Sequence, residues 1–87
     1  MTKVFLYEIE EADEMVTRKT TSPEVFTTKN KAITWLNVTK ERMKGTLTDI
    51  DIPIDTNERF EIRGQMKGTK CRCRKYYEYR LVEKNLI

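Results

Sequence analysis

Residues 63–75 contain six basic side chains and no acidic one. They are Arg63, Lys67, Lys70, Arg72, Arg74 and Lys75. Tyr76 follows at once, and Arg80 shares its parity on the same predicted strand. Guanidinium groups bind phosphates and carboxylates through paired hydrogen bonds, and tyrosine rings stack on unpaired bases. The candidate partner-binding residues are therefore Arg63, Lys67, Lys70, Arg72, Arg74, Tyr76 and Arg80.

A second interpretation of the same pattern needs no partner. Lysine and arginine side chains commonly protect an exposed sheet edge from pairing with other chains. The formal net charge of the whole protein is only +3, which is modest for a nucleic-acid-binding surface. Both interpretations stay open at the level of sequence.

Cys71 and Cys73 place two thiols one residue apart, each beside basic residues. Cations raise the reactivity of a thiol that solvent reaches, so an enzyme or redox protein is the third hypothesis. Two ligands do not complete a zinc site. Since both cysteines share strand parity with Tyr77 and Tyr79, we expect them to pack inward as small apolar residues.

The chain contains no histidine. Histidine is the usual general base near neutral pH and the commonest metal ligand, so its absence removes Ser-His and Cys-His constellations and most catalytic zinc sites. The acidic residues around positions 8–14 match no calcium-loop template and lack its glycine. We therefore expect a non-enzymatic protein with no metal and no cofactor.

The 87 residues form one small domain, 1–87. No apolar run reaches the roughly 18 to 20 residues that a membrane span needs, and the N-terminus lacks the pattern of a signal peptide. The close spacing of the two cysteines favours reduced thiols over a disulfide. These features predict a cytoplasmic protein without a membrane partner.

One stretch, 28–45, has the apolar period of a helix. Ala32, Leu36 and Met43 fall on one line and predict the buried stripe. Thr28 is a suitable N-cap, and Gly45 is predicted to end the helix in a left-handed conformation.

The other segments have the patterns of strands, at 3–10, 15–21, 47–55, 59–66 and 70–83. In segment 47–55, the strict alternation of apolar and polar residues predicts Ile50, Ile52 and Ile54 on one apolar face. Pro53 restricts this segment to a sheet edge or an extended arm.

A hairpin loop with an even number of residues would place Phe60 and Ile62 on the same face as Tyr77 and Tyr79. The guanidiniums would then point to water with Tyr76 as an exposed ring.

The predicted fold is α+β: one amphipathic helix packed on a mostly antiparallel sheet of four to five strands, in the order β-β-α-β-β-β. Small size and a highly charged surface resemble the small accessory proteins of phages and mobile elements, some of which inhibit host or defence factors. No motif carries that resemblance, so it assigns no residue a role.

We expect a binding protein that occupies a macromolecular surface, with a protein partner favoured over nucleic acid. The alternative is an RNA or single-stranded DNA binding module that uses the basic C-terminal hairpin. Their salt dependence separates the two. A homodimer formed through an exposed sheet edge is a further arrangement open to this sequence.

Overall fold

The computed structural model describes residues 2–13, 15–68 and 74–86. It contains five strands and one helix in the predicted order β-β-α-β-β-β. These are β1 (Thr2–Ala12), β2 (Thr17–Thr21), α1 (Lys29–Thr46), β3 (Leu47–Asp55), β4 (Arg59–Met66) and β5 (Arg74–Leu86). The α+β prediction is confirmed.

All five strands form one antiparallel sheet in the order β2-β1-β5-β4-β3. The last strand lies at its centre, because β5 pairs with β1 on one side and with β4 on the other. β1 is also internal, and it has buried apolar residues on both faces: Tyr7 is buried toward the helix, and Val4 and Leu6 are buried on the opposite face. The edges are β2 and β3.

Helix α1 covers one face of the sheet with the predicted stripe. Ala32, Leu36 and Met43 are buried, and Thr39 is buried with them. Thr28 is the N-cap, and its hydroxyl accepts a hydrogen bond from the Lys31 amide at 3.2 Å. The Trp35 ring stacks on Tyr7, with ring centres 5.5 Å apart. These contacts fasten the helix to the middle of the sheet.

The end of the helix was predicted incorrectly. Gly45 lies within α1, which runs to Thr46 and passes directly into β3 at Leu47. The Leu47 amide donates to the Met43 carbonyl and so closes the last turn without a left-handed residue. The glycine of the described chain that does adopt positive φ is Gly68, at the reversal after β4.

Strand β3 is an edge strand, as Pro53 required, but its three isoleucines do not share one face. The register with β4 shifts twice, between Thr48 and Asp51 and between Asp51 and Ile54. Each shift places an extra residue in β3, which reverses the faces of the residues that follow. Asp49 supplies the left-handed conformation at the first shift, with φ of 53°.

The two shifts have visible consequences for the isoleucines. Ile50 is 38% exposed, Ile52 packs against the core, and Ile54 is paired with Glu61 on the face opposite the helix.

The parity predicted for the final hairpin is confirmed where the structure describes it. Phe60 is paired with Tyr79 and Ile62 with Tyr77, which places all four on the helix side. Cys71 and Cys73, predicted to point the same way, lie outside the described residues.

A pair of glycine substitutions tests this packing. A Cβ at Gly64 would lie 2.9 Å from the Thr48 carbonyl oxygen and 3.0 Å from the Leu47 Cβ, whereas a Cβ at Gly45 would meet nothing within 4 Å. We expect Gly64→Ala to destabilise by about 1–3 kcal/mol through overpacking. Gly45→Ala should stabilise by about 1 kcal/mol, because alanine is the better helix former. Urea unfolding measures both, and equal effects of the same sign would contradict the packing of β3 on β4.

Candidate functional site

The face of the sheet opposite α1, here called the outer face, brings together part of the predicted binding set. Arg63 of β4 is paired with Tyr76 of β5, and its guanidinium lies 5.5 Å from the centre of the Tyr76 ring. Arg74 precedes Tyr76 by two residues on the same face and is paired with Gln65. Together with Ala12 and Asp13, these three side chains line a shallow depression.

Neither guanidinium in this depression forms an ion pair with a carboxylate of the described chain. Arg63 contacts the Tyr76 ring, and Arg74 donates to the Asp49 carbonyl at 3.2 Å. Both are exposed. They therefore present two positive charges to solvent beside an aromatic ring.

The Tyr76 ring is less exposed than the sequence predicted. It is half-buried, and its hydroxyl donates to Glu61 Oε1 at 2.9 Å. Burial, that hydrogen bond and the nearby carboxylates raise the pKa of Tyr76 to about 12. The phenol consequently stays neutral at physiological pH, and its ring is held in place beneath the Arg63 guanidinium.

Arg80 lies on the outer face as predicted but is separated from this cluster by a row of carboxylates. The pairing of β1, β5 and β4 places Glu10, Glu78 and Glu61 directly side by side. Arg59 and Arg80 lie in the next row. Arg80 Nη2 donates to Glu78 Oε1 at 3.1 Å, so this cation is already paired.

Arg59 holds the two central carboxylates together. Its Nε and Nη2 donate to Glu78 Oε2 at 2.9 and 2.6 Å, and Nη2 also donates to Glu61 Oε1 at 2.9 Å. The Glu61 and Glu78 side chains are only 9% and 8% exposed. Opposed carboxylates repel each other, so the arginine is what makes this arrangement stable.

The pKa of Glu78 reflects this balance. Burial alone raises it, but the hydrogen bonds from Arg59 and the positive charges of Arg59 and Arg80 outweigh that effect. The pKa of Glu78 is therefore lowered, and the ionised carboxylate is the form that the fold stabilises.

The remaining predicted residues are not assembled with this cluster by any described contact. Lys67 lies in the turn that follows β4, while Lys70 and Arg72 lie outside the described residues. Lys75, the last member of the basic run, points to the helix side and forms an ion pair with Glu11 at 3.2 Å.

Two features of this face escaped the sequence analysis. The Arg59–Glu61–Glu78 network was missed because its members alternate with apolar residues on two strands, and only the pairing register shows that they meet. The turn between β1 and β2 was considered only for its acidic residues, as a calcium loop that the sequence does not match. This turn lies beside β5 because Ala12 is paired with Tyr76, and no local sequence pattern predicts that pairing.

No protein-family model, curated protein or solved structure matches this chain. Within residues 2–13, 15–68 and 74–86, no three or more Cys, Asp or Glu side chains are grouped to hold a metal ion. In the same part of the chain, no helix has the length and apolar character needed to cross a membrane.

The arginine network predicts a characteristic pH dependence of stability. The pKa of Glu78 is lower in the native protein than in the unfolded chain, where it is about 4.3. Its ionised carboxylate therefore stabilises the fold at pH values above about 4.3, and this stability is lost as the pH falls further. Arg59→Gln removes the shared cation, so we expect a lower melting temperature at pH 7.

The difference in melting temperature between the Arg59→Gln variant and the unmodified protein should shrink as the pH approaches 4.5, because one of the two opposed carboxyls can then take up a proton. Thermal unfolding at pH 7 and at pH 4.5 measures this difference. Lys29→Gln removes an exposed ion pair with Glu58 and serves as the control with little effect. A deficit that stays constant or grows on acidification would contradict the network.

Proposed function

We propose that this protein is a non-enzymatic binding protein that docks on another protein through the outer face, around Arg63, Arg74 and Tyr76. The supporting observation is the depression that these side chains form with Ala12 and Asp13. Arginine and tyrosine are enriched among the residues that dominate binding energy. Here the ring is fixed by its hydrogen bond to Glu61, which lowers the entropic cost of binding.

The mixed charge of the outer face favours a protein partner. A nucleic-acid surface needs an extended positive field, whereas here the row Glu10, Glu78 and Glu61 separates Arg80 from Arg63 and Arg74. Phosphates that follow the sheet beyond Tyr76 would meet carboxylates. A protein can match alternating charges with its own.

The proposed mode of action is occupation of a surface that the partner needs for its own activity. The protein would then be an inhibitor of a host or defence factor in the cytoplasm, as the resemblance of its size and charge to small phage and mobile-element proteins suggests. Nothing in this mechanism requires a cofactor or a covalent step.

RNA or single-stranded DNA binding remains the alternative, because Arg63 and Arg74, which have no ion pair among the described residues, lie beside the aromatic ring of Tyr76. The homodimer through a sheet edge also stays a prediction. Both edges carry features that oppose strand addition: β3 has Pro53 and two register shifts, and β2 is short with Arg18 and Lys19.

Charge reversal tests the proposed docking face. Arg63→Glu/Arg74→Glu should abolish capture of the partner from lysate of the cells in which the protein occurs, as measured by quantitative mass spectrometry. Lys29→Glu/Lys31→Glu makes the same charge change at the start of α1, where acidic residues suit the helix dipole, and should capture the same proteins as the unmodified chain. Identical capture by all three chains would contradict the proposal.

Salt dependence separates the two classes of partner. Binding to a labelled poly-uridine strand should be weak at about 50 mM salt. The nucleic-acid alternative would be established instead by two results together. The strand would bind tightly at about 50 mM salt and orders of magnitude more weakly at about 200 mM, and Arg63→Glu/Arg74→Glu would remove the binding.

A further inference from the structure

The turn between β1 and β2 projects the most exposed large apolar side chain of the described protein. Met15 is 92% exposed, and Val16 beside it is 51% exposed. A single exposed apolar residue needs no explanation, but two neighbouring ones at the tip of a hydrogen-bonded turn define a small apolar protrusion.

Hydrogen bonds connect three residues of this turn, Asp13, Met15 and Val16. Asp13 Oδ1 accepts from the amides of Met15 and Val16, both at 2.8 Å, and the Asp13 amide donates to the Val16 carbonyl at 3.0 Å. The two amide bonds also lower the pKa of Asp13, so its carboxylate stays ionised and bonded at neutral pH. These bonds restrain the backbone at Met15 and Val16, which reduces the entropic cost of burying Met15 in a partner.

Basic side chains flank the turn on both faces of the sheet. On the outer face Arg63 and Arg74 share a depression with Asp13. On the helix side Arg18 and Lys75 line a second depression, again with Asp13 and with Val16. The protrusion thus lies between two pairs of cations.

Several described carboxylates lie near these cations. Glu11 pairs with Lys75, and Asp13, whose ionised carboxylate accepts the two amides of the turn, lines both depressions. Asp51 is opposite Arg63 in the pairing of β3 with β4. Arg18, Arg63 and Arg74 form no ion pair in the part of the chain that the structure describes. Three guanidiniums around the apolar tip are therefore without an ion-pair partner among the described residues.

We infer that the β1–β2 turn is the apolar anchor of the docking site and that its partner is an acidic protein surface with an apolar pocket for Met15. This inference rests on the proposed function and names the chemistry of the partner. Carboxylates around the pocket would pair with Arg63 and Arg74 on one side and with Arg18 on the other. Methionine suits such a pocket because its unbranched, polarizable side chain adapts to the pocket's shape.

The apolar tip distinguishes this partner from nucleic acid. Phosphates could pair with the same cations, but a polynucleotide offers no apolar pocket for Met15 and Val16. A protein surface supplies both kinds of contact.

Selection from a random phage-displayed peptide library against the immobilised full chain tests the chemistry of the partner without requiring the partner itself. The enriched peptides should be acidic and contain apolar residues. Met15→Ala should weaken their binding at least about tenfold in fluorescence anisotropy, the loss expected of an anchor residue. Met15→Leu should restore it. Val38→Ala, which truncates a 63% exposed valine of the helix, is the matched control and should bind as the unmodified chain does.

The outcomes separate this inference from the proposed function. If Arg63→Glu/Arg74→Glu abolishes peptide binding while Met15→Ala does not, the anchor is wrong and the docking face stands. If neither variant affects binding, both are wrong. Enrichment of no peptide, or of basic peptides, would overturn the inference, as would tighter binding to poly-uridine or to anionic phospholipid vesicles than to the selected peptides.

Discussion

The pairing of β1 with β5 is the constraint on which the rest of the structure depends. It joins eleven residue pairs from the two ends of the chain, from Thr2 with Leu86 to Ala12 with Tyr76. Without it the molecule would be a two-stranded hairpin and a three-stranded meander, each too small to bury a core of its own. Helix α1 connects these two units and packs Leu36 and Trp35 across the pair, so the core exists only when both strands are in register.

The same register determines the chemistry of the outer face. It aligns Glu10, Glu78 and Glu61 in one row and thereby requires Arg59 to lie between the last two. It also carries the β1–β2 turn to the β4–β5 hairpin, where Asp13 joins Arg63 and Arg74 around one depression. The carboxylate–arginine network occupies the centre of the face, and Arg63 and Arg74 lie at one end. Among the described residues, ion pairs therefore balance the charges at the centre, whereas these two guanidiniums have none.

Local patterns predicted the elements, and long-range pairing determined what they assemble. The helical period of 28–45 placed Ala32, Leu36 and Met43 correctly, since burial of one stripe depends only on spacing. The end of the helix was wrong because Gly45 carries no side chain that would show whether it continues or stops a helix. Strict alternation failed for Ile50 and Ile54 because β3 has two register shifts relative to β4. At the first shift Gly64 allows the backbone of Thr48 to come close, which the pattern within β3 does not show. Arg63 and Tyr76 could be placed together from parity alone, whereas the carboxylates between them and Arg80 could not be placed without the register.

Cross-strand nuclear Overhauser effects between β1 and β5 test the central claim most directly. Opposite residues in an antiparallel pair have Cα atoms about 4.5–5.5 Å apart, so their protons are close enough to be detected. The account predicts contacts between Ala12 and Tyr76 and between Glu10 and Glu78. Contacts displaced by one residue, with Glu11 opposite Glu78, would contradict it, because the acidic row and the position of the β1–β2 turn would both be lost.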